Sequence, residues 1–394
     1  MEETIMENQL VKIYARTIES EAIQQVNNMA NSRAYKGCKM RIMPDCHAGA
    51  NSTVGTVIEV AGRIIPNTVG VDIGCGMSVY DLSTERPDLA DIDRIIHERV
   101  PSGPNIHETA PTLFQPLEEL VCRDGIDIDN AQRSIGTLGG GNHFIEINTT
   151  QEGHYYLVIH SGSRKLGLQV CKYYQAIAER SAGEYSMLSH ELIARYKAEG
   201  RDTEIAEALK ILRTEHYMPN GEEYLAGAHL EDYLHDMAIV QQYAALNRHM
   251  IARAIIGERA EHCDHFDTIH NYIEVERGIL RKGAVRAECG ERLIIPINMR
   301  EGSLICIGKG NDDWLRSAPH GAGRLMSRSK AKQTLSMEEF LQTMEGIYTT
   351  SICEETLDEA PMVYKPIEEI MECIEPTAEV VDIIRPIYNY KAHN

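Results

Sequence analysis

The chain has 394 residues, and 59 acidic against 39 basic side chains give it a formal net charge of −20 at pH 7. This balance excludes nucleic-acid binding through a broadly basic surface, so a phosphate-rich ligand must be held in a local pocket. A hydrophobic fraction of 43% and a charged fraction of 25% exclude a disordered chain and indicate a folded globular protein.

The amino-terminal residues and the cysteines predict the compartment. The first residues lack a basic segment followed by an apolar run, and no stretch of about 18 apolar residues occurs in the sequence. The ten cysteines are far apart and contain no Cys-x-x-Cys pair, which is typical of cytosolic thiols. We therefore predict a cytoplasmic protein that does not interact with membranes.

Two regions with different residue patterns make up most of the first two thirds of the chain. Short β-branched runs between glycine-rich turns predict strands over residues 40–160. From about 169 to 258 glycines are few, and apolar residues recur three or four apart, as at Met237, Val240 and Ala244. This spacing predicts several helices.

The strand pattern returns in the last third of the chain. Strands are predicted at 293–295 and 304–307, a helix over 336–345, and a last strand at 380–384 before a short polar tail. No linker or low-complexity tract separates the regions. We therefore predict one α/β (α+β) domain over residues 1–394, in which residues of about 169–258 form a helical subdomain.

A carboxylate and a thiol share the glycine-rich segment 69–77, as Asp72 and Cys75. A thiolate that bridges two divalent ions, with the carboxylate completing one coordination shell, would suit Mn²⁺ or Zn²⁺. The simpler interpretation is a turn-forming aspartate beside a buried thiol. This segment alone leaves both interpretations open.

A second glycine run, 136–141, leads into a strand. Its free backbone N–H groups can cradle phosphate oxygens. Alternation in the strand places His143 on one face, and Phe144 on the other face together with Glu146. The alternative is a glycine-rich hairpin with a surface histidine and glutamate.

Three further histidines follow in the sequence. His160 ends an apolar strand, and Arg164 lies in the small-residue turn after it, where a guanidinium can clamp phosphate or can simply be solvated. His270 comes after the helical region and by itself would be a structural histidine. His320 has small neighbours, so a phosphorus centre can approach its imidazole closely.

Together these segments supply a carboxylate, a thiol, four imidazoles and several arginines at strand ends and turns. This set suits a two-metal phosphoryl or nucleotidyl transferase. The sequence contains no Gly-x-x-x-x-Gly-Lys-Ser/Thr motif, which argues against a P-loop enzyme.

In this order, the segments resemble the RtcB family of GTP-dependent RNA ligases. The resemblance runs from about residue 40 to the end of the chain. It rests on the segments 43–47, 72–77, 136–146, 160–164, 270–272, 281–284, 308–311 and 320–328.

The resemblance implies a fold of mixed β-sheets around a metal-containing cleft. It implies that Cys75 bridges two Mn²⁺ ions. His160 and His270 would complete one site, and Asp72 and His143 the other.

The resemblance also implies roles for the remaining candidates. His320 would become covalently guanylylated, Phe144 would pack on guanine, and Glu146 would bind the Watson–Crick edge. The implied GTP-binding residues are Asn142, Phe144, Glu146, Ser303, His320, Gly321, Ala322, Gly323, Tyr364 and Lys391. The implied RNA-binding residues are Asp45, Arg164, Lys282, Arg324 and Arg328.

The implied reaction joins an RNA 3′-phosphate or 2′,3′-cyclic phosphate to a 5′-hydroxyl, using GTP and Mn²⁺. It proceeds through a GMP–histidine and then an RNA-3′-pp-5′-G intermediate. Fragments of tRNA or rRNA are candidate substrates, and no protein partner is implied.

Two alternatives remain at this stage. The segment Glu301-Gly302-Ser303 and the tail after Lys391 depart from the family pattern, which leaves room for a metal-dependent RNA-end phosphodiesterase or cyclic-phosphate hydrolase without joining activity. A non-catalytic module that recruits a partner through the helical region is the other alternative.

Overall fold

The computed structural model describes residues 10–216 and 223–392, and only the backbone of residues 181–186 and 214–216. Its helices are α1 Ser20–Asn31, α2 Pro66–Val69, α3 Leu89–Arg99, α4 Ile128–Ser134, α5 Arg164–Ala198, α6 Ile205–His216, α7 Gly227–Ile256, α8 Arg328–Thr334, α9 Met337–Thr343 and α10 Ile367–Ile374. Short 3₁₀ helices are Gln115–Glu119, Arg123–Gly125, Asp202–Glu204, Gly257–Glu261, Asp312–Trp314, Glu354–Glu359 and Pro361–Val363.

The strands are β1 Val11–Ile13, β2 Met40–His47, β3 Val54–Glu59, β4 Arg63–Ile64, β5 Gly76–Asp81, β6 Phe144–Thr149, β7 Tyr155–Ser161, β8 Leu225–Ala226, β9 His265–Ile269, β10 Asn271–Glu274, β11 Ile279–Lys282, β12 Ala284–Arg286, β13 Arg292–Asn298, β14 Gly302–Gly308, β15 Ser317–Pro319, β16 Tyr348–Thr349 and β17 Ala378–Lys391. Mixed sheets and helices confirm the predicted α/β class.

Two larger sheets form the framework. One has five strands in the order β1-β2-β3-β11-β10. The other has eight, in the order β13-β14-β17-β6-β7-β5-β9, with β16 beside β17. The two short pairs are β12-β15 and β4-β8.

The register of the eight-stranded sheet places three strand ends side by side. Gly76 at the start of β5 pairs with Ser161 at the end of β7 and with Ile269 at the end of β9. The residues next to these positions therefore meet at one edge of the sheet, although they are far apart in sequence. They are Cys75, His160 and His270.

The long helix α7 packs against both sheets. Its residues Tyr233 and Tyr243 belong to a core that also contains Met40 of β2. Further along, Ile251 lies in a second core with Ile159 of β7. Each fully buried side chain of this size contributes roughly 1.5–3 kcal/mol to folding.

Several boundaries differ from the sequence predictions. The first long helix begins at Arg164 rather than near residue 169, and residues 217–222 of the predicted helical region lie outside the described residues. The last strand was predicted too short, because β17 continues to Lys391 and pairs with β6 through Phe144. The residues predicted to form a polar tail are thus mostly part of the large sheet.

Besides the short α2, two helices lie in the region predicted to contain strands. In α3 the Asp88 carboxylate caps the first turn by accepting from the N–H groups of Ala90 and Asp91, and Ile92 and Ile96 are buried four residues apart. The second helix is α4. Within the part of the chain that the structure describes, no helix combines the length and the apolar character needed to cross a membrane.

Candidate functional site

A cleft opens beside the metal-ligand edge of the large sheet. Its lining includes the sequence-predicted residues Asn142, Phe144, Glu146, His160, His270, Ser303, His320, Gly321, Ala322, Gly323, Arg324, Arg328, Tyr364 and Lys391.

The predicted metal ligands form two groups that share one thiol. Cys75, His160 and His270 make up the first, and Asp72, Cys75 and His143 the second; within each group the ligand atoms lie within 4.8 Å of one another. Cys75 Sγ is 3.4 Å from Nε2 of both His143 and His160. His143 Nε2 is 3.1 Å from Asp72 Oδ2.

Backbone carbonyls select the tautomer of two of these histidines. His143 Nδ1 lies 2.9 Å from the Leu138 carbonyl oxygen, and His160 Nδ1 lies 3.1 Å from that of Asn142. A carbonyl only accepts, so each Nδ1 carries the hydrogen and each Nε2 keeps its lone pair. This is the arrangement expected of metal-binding histidines.

The protonation tendencies also suit cation binding. Burial, and then neighbouring histidines, hold the pKa values of His160 and His270 well below the usual range, so these imidazoles are neutral. Burial raises the pKa of the Asp72 carboxyl, but the polar contacts of this carboxyl, first with His143 and also with the Ser163 N–H, outweigh burial, and the net pKa is lowered. Burial, followed by the charge of Asp72, raises the pKa of the Cys75 thiol.

A divalent cation would offset that unfavourable thiolate charge, and the combined sulfur, nitrogen and oxygen donors fit a Mn²⁺- or Zn²⁺-type ion. The turn beside the cluster is closely packed at Gly162. A Cβ placed on Gly162 would lie 2.2 Å from Asp72 Oδ1. Asp72 Oδ1 accepts from the Ser163 backbone N–H at 2.9 Å, which holds the carboxylate toward His143.

His320 is held by a buried carboxylate. Its Nδ1 lies 2.6 Å from Asp45 Oδ2, and the same oxygen accepts from the backbone N–H groups of His320 at 3.1 Å and Gly321 at 3.2 Å. The ring centroid of His320 is 4.8 Å from that of His270. With Nδ1 donating to Asp45, Nε2 is the nitrogen left for nucleophilic attack.

Gly323 is required where the loop after His320 approaches β2. It has φ of +77°, and a Cβ there would lie 2.3 Å from the Asp45 backbone oxygen. The left-handed backbone and the close approach both favour glycine. The loop therefore keeps His320 against Asp45.

The part of the cleft predicted to bind GTP contains Phe144, Glu146 and Ser303, and the Phe144 ring meets His160 at a centroid distance of 5.3 Å. Glu146 accepts from the side-chain amides of Asn148 at 3.1 Å and Asn389 at 2.8 Å. Burial raises the pKa of Glu146 to about 7, although both amides and Lys391 act in the opposite direction. Ser303 Oγ is buried without a hydrogen-bond partner, as expected of a group that awaits a polar ligand.

A buried acidic pair, Asp358 and Glu359, holds the cations at the rim. Glu359 Oε2 accepts from Tyr364 Oη at 2.6 Å and from Lys391 Nζ at 2.7 Å. Its Oε1 lies 3.2 Å from Arg324 and 2.9 Å from Arg328, and Asp358 also pairs with Arg328 at 2.7 Å. Burial opposes ionisation of Glu359, but Lys391 and Arg328 lower its pKa to about 2.

The predicted RNA-binding residues are in varied surroundings. Asp45 is fully buried beneath His320, a position that supports orientation of the imidazole. Arg164 donates to Thr137 Oγ1 and to the Gly103 carbonyl, both at 3.2 Å. Burial lowers the pKa of Lys282 to about 8, and its Nζ lies 3.5 Å from the Asn67 carbonyl oxygen.

Sequence reasoning missed several residues that organise the site. Asp358 and Glu359 precede the predicted Tyr364, but nothing local indicates that they lie beneath it. Asn148 stands two residues after Glu146 and shares its strand face, a signal that period-two alternation provides. Two more missed residues, Asn247 and Arg248, continue the buried spacing of α7 with polar side chains.

Comparison with known proteins agrees with the geometry. The family model described as tRNA-splicing ligase RtcB matches residues 25–124 and 118–392. The RNA-splicing ligase RtcB of Escherichia coli (strain K12) is 30% identical, with 97% of each chain covered. The tRNA-splicing ligases RtcB of Aeropyrum pernix and Methanococcus maripaludis are 28% and 26% identical; 88% and 92% of this chain and 86% and 89% of theirs are covered. The chain therefore belongs to the RtcB family.

Proposed function

We propose that the chain is a GTP-dependent RNA ligase that joins an RNA 3′-phosphate or 2′,3′-cyclic phosphate to a 5′-hydroxyl. The observation that carries the proposal is the position of His320. Its Nδ1 is bonded to Asp45, and its ring lies beside the cluster of Cys75, His160 and His270. A nucleophilic imidazole next to a metal-ligand cluster suits nucleotidyl transfer.

The first step would be attack of His320 Nε2 on the α-phosphorus of GTP. A nitrogen–phosphorus bond forms, pyrophosphate leaves, and His320 carries GMP. The Asp45 carboxylate accepts a hydrogen bond from Nδ1, so it stabilises the positive charge that the imidazole ring gains. Two Mn²⁺ ions held by the two ligand groups would supply Lewis-acid stabilisation of negative charge on the phosphates.

The next steps would transfer GMP to RNA and then expel it. An RNA 3′-phosphate oxygen attacks the phosphorus of the GMP–histidine and forms RNA-3′-pp-5′-G, which frees His320. The 5′-hydroxyl of the second RNA end then attacks the activated 3′-phosphate, loses its proton and displaces GMP. A 2′,3′-cyclic end would first be hydrolysed to the 3′-phosphate.

Guanine would be recognised in the part of the cleft that contains Phe144, Glu146 and Ser303. Phe144 offers a ring face, and the Glu146 carboxylate can accept from the N1–H and 2-amino groups of the base. Lys391 Nζ lies 5.9 Å from the centroid of the Phe144 ring, Tyr364 also lines the cleft, and Ser303 Oγ supplies a free hydroxyl. Asn142 and the small residues 321–323 line the same cleft as His320.

Cleaved tRNA or rRNA would be the substrate, bound at its ends. Arg324 and Arg328 are the cleft-lining arginines available for RNA phosphates, and Arg164 and Lys282 are further candidates. The names of the relatives, RNA-splicing and tRNA-splicing ligase, support this substrate class.

The decisive experiment is incubation with α-labelled GTP and Mn²⁺, followed by denaturing electrophoresis. We expect an acid-labile, alkali-stable protein adduct, which His320→Ala abolishes and the exposed control His262→Ala retains. Absence of the adduct from the unaltered protein would contradict the proposal. RNA-end hydrolysis without GTP-dependent joining would favour the phosphodiesterase alternative instead.

A further inference from the structure

Two consecutive residues of α7, Asn247 and Arg248, lie beneath the metal-ligand cluster. Both are fully buried. Neither belongs to the ligand groups, and both come from the long helix rather than from the sheet that carries most of the ligands. Burying a guanidinium is costly unless its N–H groups are bonded. In Arg248, Nε and Nη1 are bonded and Nη2 is buried without a hydrogen-bond partner, so the partners of Nε and Nη1 define the role of the side chain.

The guanidinium of Arg248 bonds all three strands whose ends carry the first ligand group. Its Nη1 donates to the Gly74 carbonyl at 3.1 Å, next to Cys75, and to the Ser161 carbonyl at 3.2 Å, next to His160. Its Nε donates to Ser78 Oγ of β5 at 3.0 Å and to Asp267 of β9 at 3.2 Å. Asp267 lies three residues before His270.

The side-chain amide of Asn247 forms hydrogen bonds with segments next to the second ligand group. Its Oδ1 accepts from the backbone N–H groups of Gly136 at 2.8 Å and Thr137 at 3.0 Å, in the glycine run that leads to His143. Its Nδ2 donates to Ser161 Oγ at 3.0 Å and to the Gly162 carbonyl at 3.1 Å.

Short hydrogen-bond chains connect these contacts to the ligands themselves. Ser161 Oγ donates to the Leu138 carbonyl at 2.9 Å, and that carbonyl also accepts from His143 Nδ1 at 2.9 Å. Gly162 precedes Ser163, whose N–H is bonded to Asp72. Loss of the Asn247 amide would thus free both His143 and Asp72 to shift.

We propose that Asn247 and Arg248 are positioning residues for the two metal sites, with Arg248 serving the Cys75–His160–His270 group and Asn247 the Asp72–Cys75–His143 group. The inference rests on the proposed function, in which these groups bind Mn²⁺. It assigns the helical segment a role inside the metal centre. That role differs from recruitment of a partner.

The test measures Mn²⁺ binding by metal-free protein, with free Mn²⁺ followed by its electron paramagnetic resonance signal. Groups that orient metal ligands typically alter affinity about 10- to 100-fold when removed. We expect Arg248→Met to weaken one of two bound ions by that factor and Asn247→Ala to weaken the other. Arg248→Lys keeps the charge but cannot span three strands, so it should recover little affinity.

Asp236→Asn is the matched control. Asp236 is a fully buried residue of the same helix that accepts from the N–H groups of Val121 and Cys122 and from Tyr174 Oη, about 18 Å away along the axis. A purely structural role for Arg248 predicts that Arg248→Met and Asp236→Asn lower the unfolding temperature alike and leave Mn²⁺ affinity unchanged.

Folded Arg248→Met and Asn247→Ala proteins that bind two Mn²⁺ ions with unaltered affinity would overturn the inference. If Arg248→Met does not fold, Arg248→Lys and Asn247→Ala decide it in the same way. Failure of the unaltered protein to bind Mn²⁺ would instead contradict the proposed function, and the inference with it.

Discussion

At the residue scale, one carboxylate controls the tautomer of the proposed nucleophile. Asp45 Oδ2 receives three N–H groups, two from the backbone and one from His320 Nδ1. Asp45 was expected to contact an RNA end, and that contact stays a prediction. Its burial and its hydrogen bonds support a positioning role.

Asp45→Asn should therefore reduce the rate of guanylylation by about 10²- to 10⁴-fold, because an amide holds either tautomer of His320 and does not stabilise a charged ring. Single-turnover labelling with α-labelled GTP measures the effect. The exposed Asp264→Asn serves as control, since Asp264 pairs only with groups distant from the cleft. An Asp45→Asn protein that labels at the normal rate would contradict the assigned role.

The pKa of Glu146 leads to a pH-dependent prediction. Burial raises that pKa from 4.5 to about 7, so the folded protein holds the proton more tightly than the unfolded chain between these values. Ionisation of Glu146 therefore lowers stability as the pH rises from about 4.5 to 7. Guanine binding has the opposite trend, because only the carboxylate accepts from N1–H and the 2-amino group.

We expect guanosine affinity to rise with pH and to level off above about 7, and to fall about tenfold for each pH unit well below that value. Guanosine is the suitable probe because it carries no phosphate to interact with His320 or metals. Glu146→Gln should remove the pH dependence and weaken binding. A flat profile in the unaltered protein would refute this assignment.

At the element scale, β17 connects the part of the cleft around Glu146 to the acidic pair Asp358 and Glu359. Its pairing with β6 sets Asn389 opposite Glu146 and Lys391 opposite Phe144. The Lys391 ammonium then reaches Glu359, which lies at the end of the 3₁₀ helix Glu354–Glu359. One carboxylate thereby fastens the last strand to the rim of the cleft.

Glu359→Gln should lower the free energy of unfolding by about 3 to 5 kcal/mol, because the buried Lys391 ammonium loses its carboxylate partner. It should also raise the KM for GTP, since Lys391 and Tyr364 lose their common partner. Urea unfolding and guanylylation kinetics measure the two effects.

Glu301→Gln is the control for this variant. Glu301 pairs with Arg385 of β17 at 2.9 Å in a largely exposed position, so its loss should cost only about 0–1 kcal/mol. If the two substitutions lower the free energy of unfolding equally, the buried ion pairs of Glu359 stabilise the fold no more than an exposed pair does, which contradicts the prediction.

At the scale of the whole molecule, a net charge of −20 limits how RNA can be bound. Arg324 and Arg328 at the cleft are partly neutralised by Asp358 and Glu359, so few free cations face the ligand. This arrangement favours recognition of RNA ends over recognition of long RNA segments.

We expect the affinity for a short RNA with a 3′-phosphate to depend weakly on salt. If two or three phosphates are neutralised, the slope of log K against log salt should be about −2, from a value of about −0.7 per phosphate on single strands. Fluorescence anisotropy between about 50 and 300 mM salt measures it. A slope steeper than about −5 would indicate an extended RNA-binding surface.

The fold class could be predicted from sequence because its signals are local. The candidate ligands were not, since each segment alone left a structural interpretation open, and the ligand set followed from the resemblance of the segments in their order. Glycine turns, strand ends and histidines stand within a few residues of one another, as in 136–146 and 69–77. Element boundaries were less predictable. The continuation of β17 to Lys391 depends on β6 being available as a partner, which no pattern near the end of the chain reveals.

By itself, the sequence determined which side chains are available for chemistry: a thiol, a carboxylate and four imidazoles at strand ends and turns. Only the tertiary structure decided which groups orient them. Asp45 meets His320 across 275 positions, and Arg248 meets Gly74 across 174. Such contacts depend on the packing of β2 and α7 against loops that are distant in sequence. The physical reason is that a buried charged group is stable only when it is paired or hydrogen-bonded, and the fold determines which partners lie within reach.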